Sequence, residues 1–370
     1  MNFDEAVDTL KILLSSVHGK CKESVSMNAD NKRWEVIKNI ETLTKCVIKT
    51  VARNEMPYIT SHSISTQMRL KGRQMKSIKF GCHKGCLRFV MILFLLSKIH
   101  RLLMTNKSST KRELYYKNLQ IFQSQQEVDR SVKYITELLK TPSWELGIMA
   151  TSKGLVYGPL SLHFKNGHTI NCSIKGGVSI PPNIFDVIGL SSSAKWVLII
   201  EKDATFQSLI DGETVSRLGS CIIITGKGYP DVSTRMLVCK FWEHLKIPIL
   251  ALNDADPYGF EIMCVYRFGS IAMSSQASHL ACPAVRWLGV HPSDIKPLLL
   301  EAKALSVRDI TRINSILKRN YVKENEQLRK QMEILLKGNI KAEIEGVTNI
   351  SENYLIDIYL KSKIQCLDYF

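Results

Sequence analysis

The chain has 370 residues, 45% of them apolar, and a formal charge of +16. That apolar share can fill packed cores and excludes wholesale disorder, and the length admits two domains. The excess of Lys and Arg points to a polyanionic partner, with nucleic acid ahead of an anionic membrane surface.

Residues 1–60 predict helices: an amphipathic opening with Phe3, Ala6, Leu10, Leu13 and Leu14, then a helix from about Trp34 to Ala52. Met1–Leu10 is polar and acidic, unlike a secretory leader. The ten cysteines form no CxxC pair, so they are expected to be reduced, most of them as small buried apolar groups. Cys82-His83 and Cys86 lack a second ligand pair at finger spacing, which argues against zinc. Between Arg69 and Arg88 a basic connector carries Arg69, Lys71, Arg73, Lys76, Lys79 and Lys84. A solvated loop, DNA-backbone contact and nuclear targeting remain open for it. The apolar run Phe89–Leu96 is far below the ~20 residues that span a bilayer. Arg88, Lys98 and Arg101 also bracket it, so a buried helix is expected and no membrane partner.

That helix should reach about Met104. Thr110-Lys-Arg-Glu113 reads as a capping box opening a second helix, and a third covers roughly Gln126–Leu139. Asn166-Gly167, flanked by Leu160, Leu162, Phe164, Thr169 and Asn171, is a hairpin signal. Three helices and a hairpin predict a winged-helix unit. After Pro181-Pro182 the rhythm becomes strand, helix, strand. Trp196–Ile200, Cys221–Ile224 and Ile247–Leu252 are continuous apolar runs typical of buried parallel strands. Val232–Leu245 and Tyr258–Arg267 read as helices, and the charged tail from about Ile310 as helical. The expected class is α/β: a small sheet with helices on its faces.

Open α/β sheets place ligands at the carboxyl ends of their strands. Glu201 follows one predicted strand, and Asp254 and Asp256 follow another. If those strands are neighbours, three carboxylates converge, and a divalent cation is the natural occupant. Hard oxygen donors with room for water and phosphate suit Mg²⁺. A lone Glu201 would more simply be a solvated acid; the Asp-x-Asp spacing shifts the reading toward a shared site. Asp203 is read as opening the next helix. Arg112 and Tyr116 stand four apart, hence on one helical face. A guanidinium there can bind a scissile phosphate and favour the phenolate form of a nucleophile. Tyr115 points away and reads as a core aromatic.

At these residues the chain resembles the meiotic double-strand-break (Spo-eleven) family, whose relative is the type IIB topoisomerase (topoisomerase VI) catalytic chain. The motifs that carry the resemblance, in order, begin with Ala52-Arg-Asn-Glu-Met-Pro57, Thr110-Lys-Arg-Glu-Leu-Tyr-Tyr116, Thr151-Ser-Lys-Gly-Leu155 and Val197-Leu-Ile-Ile-Glu-Lys-Asp-Ala-Thr-Phe206. They continue with Ile224-Thr-Gly-Lys-Gly-Tyr-Pro-Asp231, Asp254-Ala-Asp-Pro-Tyr-Gly-Phe-Glu-Ile-Met263, Pro283-Ala-Val-Arg-Trp-Leu-Gly289 and Lys341-Ala-Glu-Ile-Glu345. Each alone is a weak pattern, whereas their ordered co-occurrence is specific.

The resemblance implies a catabolite-activator-like winged helix followed by a Rossmann-like Toprim domain. The expected divisions are a helical extension at 1–45, the tyrosine-bearing domain at 46–165, and the Toprim domain with a C-terminal helical extension at 166–370. It implies Tyr116 as nucleophile and Arg112 as its partner, Glu201, Asp254 and Asp256 as metal acids, and Lys153 and Arg286 as DNA contacts. A homodimer sharing active sites is implied. The implied partners are duplex DNA, meiotic accessory proteins and a topoisomerase VI B-like subunit, in the nucleus on meiotic chromosomes. The implied reaction is double-strand breakage through a 5′-phosphotyrosyl link. The rivals are a resealing type IIB topoisomerase, a Toprim nuclease or primase, and a non-catalytic DNA-binding paralogue.

Overall fold

A computed structural model describes residues 1–15, 29–59, 78–81, 83–271, 273, 277–351 and 353–370. Most of the basic connector, with Cys82, falls outside them. These residues form two compact units, Glu23–Thr151 on one hand and Met1–Lys22 with Ser152–Phe370 on the other. The first helix, α1 (Phe3–Ser15), belongs to the second unit.

The 23–151 unit is mainly helical. It holds α2 (Ala29–Ala52), β1 (Tyr58–Ile59), β2 (Ile78–Lys79), α3 (His83–Met104), β3 (Ser109–Thr110), α4 (Lys111–Tyr116), α5 (Gln125–Leu139) and β4 (Ile148–Met149). β1 and β2 pair antiparallel, β3 and β4 parallel. One apolar core joins Ile37, Ile40 and Leu43 of α2, Ile92, Leu95 and Ile99 of α3, and Val128, Val132 and Ile135 of α5. The three-to-four-residue spacing on each helix is what directs those side chains to one side. The run Phe89–Leu96 is thus a core helix segment, and among the described residues no helix is long and apolar enough to cross a membrane.

The other unit is built on β5 (Leu155–Tyr157), β6 (Leu160–Phe164), β7 (Thr169–Asn171), β8 (Val178–Ser179), β9 (Val187–Ser192), β10 (Trp196–Ile200), β11 (Cys221–Thr225), β12 (Ile249–Leu252) and β13 (Val285–Gly289). Its main sheet has six strands in the order β13-β12-β10-β11-β5-β8. β11, β10, β12 and β13 run parallel; β5 and β8 add an antiparallel edge. Every residue of β10, β11 and β12 is buried, which is why these strands read as unbroken apolar runs. The crossover segments carry α6 (Asp203–Asp211) and α7 (Thr214–Arg217), then α8 (Val232–Lys240), then α9 (Pro257–Phe268) and α10 (Ala277–Leu280). Beyond the sheet come β14 (Ala302–Ala304), α11 (Val307–Leu317), α12 (Asn320–Lys323), α13 (Glu326–Gly338) and β15 (Ile340–Ala342), with β14 and β15 paired. The mixed α/β class is as expected.

Three expectations need correction. The Asn166-Gly167 hairpin forms, with Ser161 opposite Asn171 and Gly167 at φ 81°, but β6 and β7 join β9 in the unit of the main sheet. It is therefore not a wing of the helical unit. The reason is the inward face of β6, where Leu160 and Leu162 are buried and zipped to β9 from Ser192 to Val187. The divisions expected after residues 45 and 165 accordingly differ from the compact units. The segment 1–45 divides: α2 packs into the helical core, whereas α1 buries Ala6, Val7, Leu10 and Leu14 and sets Phe3 edge-on to Trp196 of β10. Finally, the helix expected over Val232–Leu245 is α8 followed by a wider π turn, Phe241–Leu245.

The placement of α1 has a measurable consequence. Leu10→Ala should cost about 2–5 kcal/mol. Hydrogen exchange should then rise in β10 and β12 while α3 and α5 keep their protection; faster exchange in α3 instead would place α1 with the helical unit.

Candidate active site: an acidic sheet edge and an exposed tyrosine

From β10 the chain crosses to β11 on one side, then returns past β10 to β12 and on to β13 on the other. The order of strands thus reverses between β10 and β12. Such a switch point leaves a crevice at the carboxyl ends of the two strands, because the connections depart in opposite directions. Glu201 directly follows β10, and Asp254 and Asp256 follow β12.

The backbone at this edge draws the acids together. Asp254 N–H donates to Glu201 Oε2 at 3.0 Å. Asp254 Oδ1 accepts the Ile344 N–H at 2.8 Å, and its Oδ2 lies 3.0 Å from Lys202 Nζ. Asp256 caps α9, its Oδ1 accepting from Tyr258 N at 2.9 Å and Gly259 N at 2.7 Å; Pro257 takes the first helical position, where no donor is missed. Gly259 is obligatory here, since a Cβ would stand 2.4 Å from Asp254 O and 2.9 Å from Glu201 Oε2. Across the edge, Ala255 bridges Ala342 through two main-chain hydrogen bonds. That bridge delivers the Lys341–Glu345 segment to the acids.

Charge in this corner is incompletely balanced. Burial, with Asp254 beside it, pushes the Glu201 carboxyl up to about 7. Burial raises Asp254 to about 6 against the Ile344 N–H and Lys202, and raises Asp256 against the Gly259 N–H. Among the described residues, Glu201 Oε1 and Asp256 Oδ2 accept no hydrogen bond. Two open oxygens on crowded, partly desolvated carboxylates form a hard donor set that fits a divalent cation. A cavity of about 280 Å³, lined by Asp254, Asp256, Lys202 and Glu343 among others, opens beside them.

Lys202, Glu343 and Glu345 are participants that the strand-end reading passed over. The signals were a lysine directly after the first acid and a second acid-x-acid pair at 343 and 345. Lys202 Nζ touches Glu343 Oε2 at 3.0 Å and Glu345 Oε2 at 2.7 Å; burial opposes its charge, but Glu345 and Asp254 raise its pKa on balance. Asp203 opens α6 and pairs with Lys227 at 3.0 Å. A different cluster, His291 with Asp294 and Asp368, also has metal-like spacing. Its centre already holds Lys363 Nζ, 3.0 Å from His291 Nδ1, 2.8 Å from Asp294 and 2.6 Å from Asp368. That cluster is a closed ionic knot of the core.

The basic residues sit differently from one another. Exposed Lys153 donates its N–H to Asp231, the cap of α8, and its Nζ to Lys227 O at 2.9 Å. The loop it touches returns Gly228 N–H to Glu201 O at 2.8 Å, so Lys153 stands near the acidic edge. Arg286, on β13, is largely buried and turns its tip to the carbonyls of Pro283 and Val285; burial lowers its pKa.

In the helical unit, α4 presents Arg112 and Tyr116 on one face, the guanidinium 5.8 Å from the ring centroid. Tyr116 is 57% exposed, whereas Tyr115 packs against the core. The expected capping box is half made. Thr110 accepts the Glu113 N–H, but the Glu113 carboxylate turns to Lys117 Nζ at 2.6 Å and Ser109 Oγ at 2.8 Å.

An acid pair at a sheet's switch point and, in the other unit, a solvent-facing arginine–tyrosine pair are groups that a metal-dependent phosphoryl-transfer enzyme would use. The Toprim-domain family of Spo11 and the topoisomerase 6 A-subunit matches residues 196–364, and the type IIB DNA topoisomerase family matches residues 87–148. The meiotic recombination protein SPO11 of Homo sapiens is 41% identical over 90% of this chain and 87% of its own. The meiotic recombination protein W68 of Drosophila melanogaster is 38% identical, covering 75% and 82%. The A-subunit of DNA topoisomerase 6 from Arabidopsis thaliana is 35% identical, covering 74% and 65%. The chain belongs to the family that unites Spo11 with the topoisomerase 6 A-subunit.

The raised carboxyl of Glu201 gives a signed prediction. Its ionised form is disfavoured in the folded state, so a cost is fully present above pH 7 and absent below about 4.5. In EDTA at pH 8, Glu201→Gln should be more stable than the native chain by about 1–3 kcal/mol. The gap should close as pH falls to about 4.5, as followed by urea unfolding.

Proposed function

We propose that this chain breaks both strands of duplex DNA in meiosis, with Tyr116 as nucleophile and Glu201, Asp254 and Asp256 as the acids that hold a divalent cation. The observation that carries the reading is the 3.0 Å union of Asp254 with Glu201 at the reversal of strand order, with two carboxylate oxygens left open. Between the two branches of the family, the longer match at higher identity to the meiotic protein favours breakage over resealing.

In the proposed step, Tyr116 Oη attacks a backbone phosphorus and the bond to the 3′ oxygen breaks. A 5′-phosphotyrosyl ester forms, and the 3′ oxygen takes a proton to leave as a hydroxyl. Arg112, on the same helical face, binds the scissile phosphate and orients it toward the phenol. The donor set of Glu201, Asp254 and Asp256 suits Mg²⁺, which when bound would neutralise charge on the phosphate and on the departing oxygen. The tyrosine of one protomer serves the acids of its partner in a homodimer, so that each strand meets one composite site. Lys153 contacts the DNA backbone, giving binding that depends on salt more than on sequence, and Arg286 joins it once its tip leaves the carbonyls of Pro283 and Val285. Meiotic accessory proteins, a topoisomerase VI B-like subunit, and a nuclear, chromosome-bound location complete the proposal.

Tyr116→Phe should keep DNA affinity and lose every protein–DNA adduct on denaturing gels; persisting adducts would move the nucleophile elsewhere. Arg112→Ala should slow adduct formation on the order of 100-fold. Lys153→Ala should weaken binding to all sequences alike and lower the salt slope by about one. ATP-dependent relaxation of plasmid by a reconstituted two-subunit complex would favour the resealing reading.

A further inference from the structure

The acid edge does not stop at Glu201, Asp254 and Asp256. Beside them lies a second group of carboxylates that share one ammonium. Lys202 Nζ stands 3.0 Å from Asp254 Oδ2, 3.0 Å from Glu343 Oε2 and 2.7 Å from Glu345 Oε2. Its side chain is 27% exposed and that of Asp254 8%, so this contact is partly desolvated, whereas Glu343 and Glu345 reach the ammonium from the solvent side, 48% and 42% exposed. Asp254 therefore faces two ways. Toward Glu201 and Asp256 it borders the open donor oxygens; toward Glu343 and Glu345 it is already bound to a cation.

A carboxylate shared between two positive centres is how paired-ion sites are built, with the ions about 3.5–4 Å apart. Here one of those centres is covalently part of the chain. We propose that Lys202 is a built-in second cation: its ammonium fills the outer position of the acid edge, so that the site takes a single divalent ion. Lys202 is on this account a positioning residue. It holds Asp254 Oδ2 in place, balances Glu343 and Glu345 at close range, and bars a second metal from the cavity.

Local chain geometry explains why this lysine is the one in position. Lys202 follows Glu201 by a single peptide bond at the end of β10, and α6 begins immediately after it. Its partners arrive on the segment after β15, which the Ala255–Ala342 bridge fixes against the Asp254 turn. Lys303 pairs with the other oxygen of Glu343 at 2.7 Å, so that carboxylate lies between two ammonium groups.

The inference rests on the divalent-cation reading of Glu201, Asp254 and Asp256, and the experiment separates the two. The full-length chain would be titrated with Mn²⁺ and bound metal counted by electron paramagnetic resonance, for the native protein, Lys202→Met, Lys202→Arg, and Lys202→Met combined with Glu343→Gln and Glu345→Gln. Circular dichroism on each sample certifies the fold. One Mn²⁺ per chain is expected for the native protein and Lys202→Arg, two for Lys202→Met, and one again for the triple variant. Native protein that binds two, or folded Lys202→Met that still binds one, overturns the role given to Lys202 and leaves the acid site standing. Native protein that binds none overturns both. Should Lys202→Met not fold, Lys202→Gln takes its place: a count of two there supports the proposal, and a count of one overturns it.

Discussion

The burial of carboxylates at the ends of β10 and β12 is the constraint around which this unit is arranged. Glu201 and Asp254 are buried, burial is the largest cause that raises both carboxyls, and Asp254 adds to it at Glu201. Left to themselves they would protonate or drift into solvent. They stay because the surrounding main chain supplies donors at close range: Asp254 N for Glu201, Ile344 N for Asp254, and the first turn of α9 for Asp256. Each donor belongs to a different stretch of chain, so the acid edge is held only when β10, β12, α9 and the segment after β15 are all in place.

The supporting structure is correspondingly rigid. α9 is fastened by Glu261, which accepts from Tyr229 of the loop after β11 and pairs with Arg319 and Arg312 beyond the sheet. Phe260 sets its ring edge-on to Trp287 of β13 at 5.2 Å. Gly259 lets the helix start against the Asp254 carbonyl, an approach that any side chain would block. These contacts explain why the Asp-Ala-Asp-Pro-Tyr-Gly-Phe-Glu run, residues 254–261, is a single device: two acids at the sheet edge, a helix start, a close approach and an anchor.

Two lysine-centred acid clusters in the same unit show how burial separates structure from chemistry. Lys363 is only 7% exposed and puts its ammonium against His291, Asp294 and Asp368. Burial and that ammonium hold the imidazole down at about 4, so His291 stays neutral at physiological pH. Lys202, more open to solvent, leaves Glu201 Oε1 and Asp256 Oδ2 free and borders a cavity. In the first cluster the ammonium sits among the ligand-like groups, whereas in the second two carboxylate oxygens stay open.

Much of this was legible in the sequence, and for definite reasons. Buried parallel strands announce themselves as unbroken apolar runs, so Trp196–Ile200 and Cys221–Ile224 were placed to within a residue, and acids directly after such runs must lie at a carboxyl edge. Arg112 and Tyr116 share a face because four residues are about one helical turn. Tertiary structure alone decided that β10 and β12 are neighbours, since strand order is set by crossovers rather than by any local pattern. It also decided that Glu343 and Glu345, some 140 residues from Lys202, surround its ammonium, and that the Asn166-Gly167 hairpin joins β9 instead of the helical unit. Local periodicity specifies which face of an element is apolar; only the packed chain chooses what that face meets.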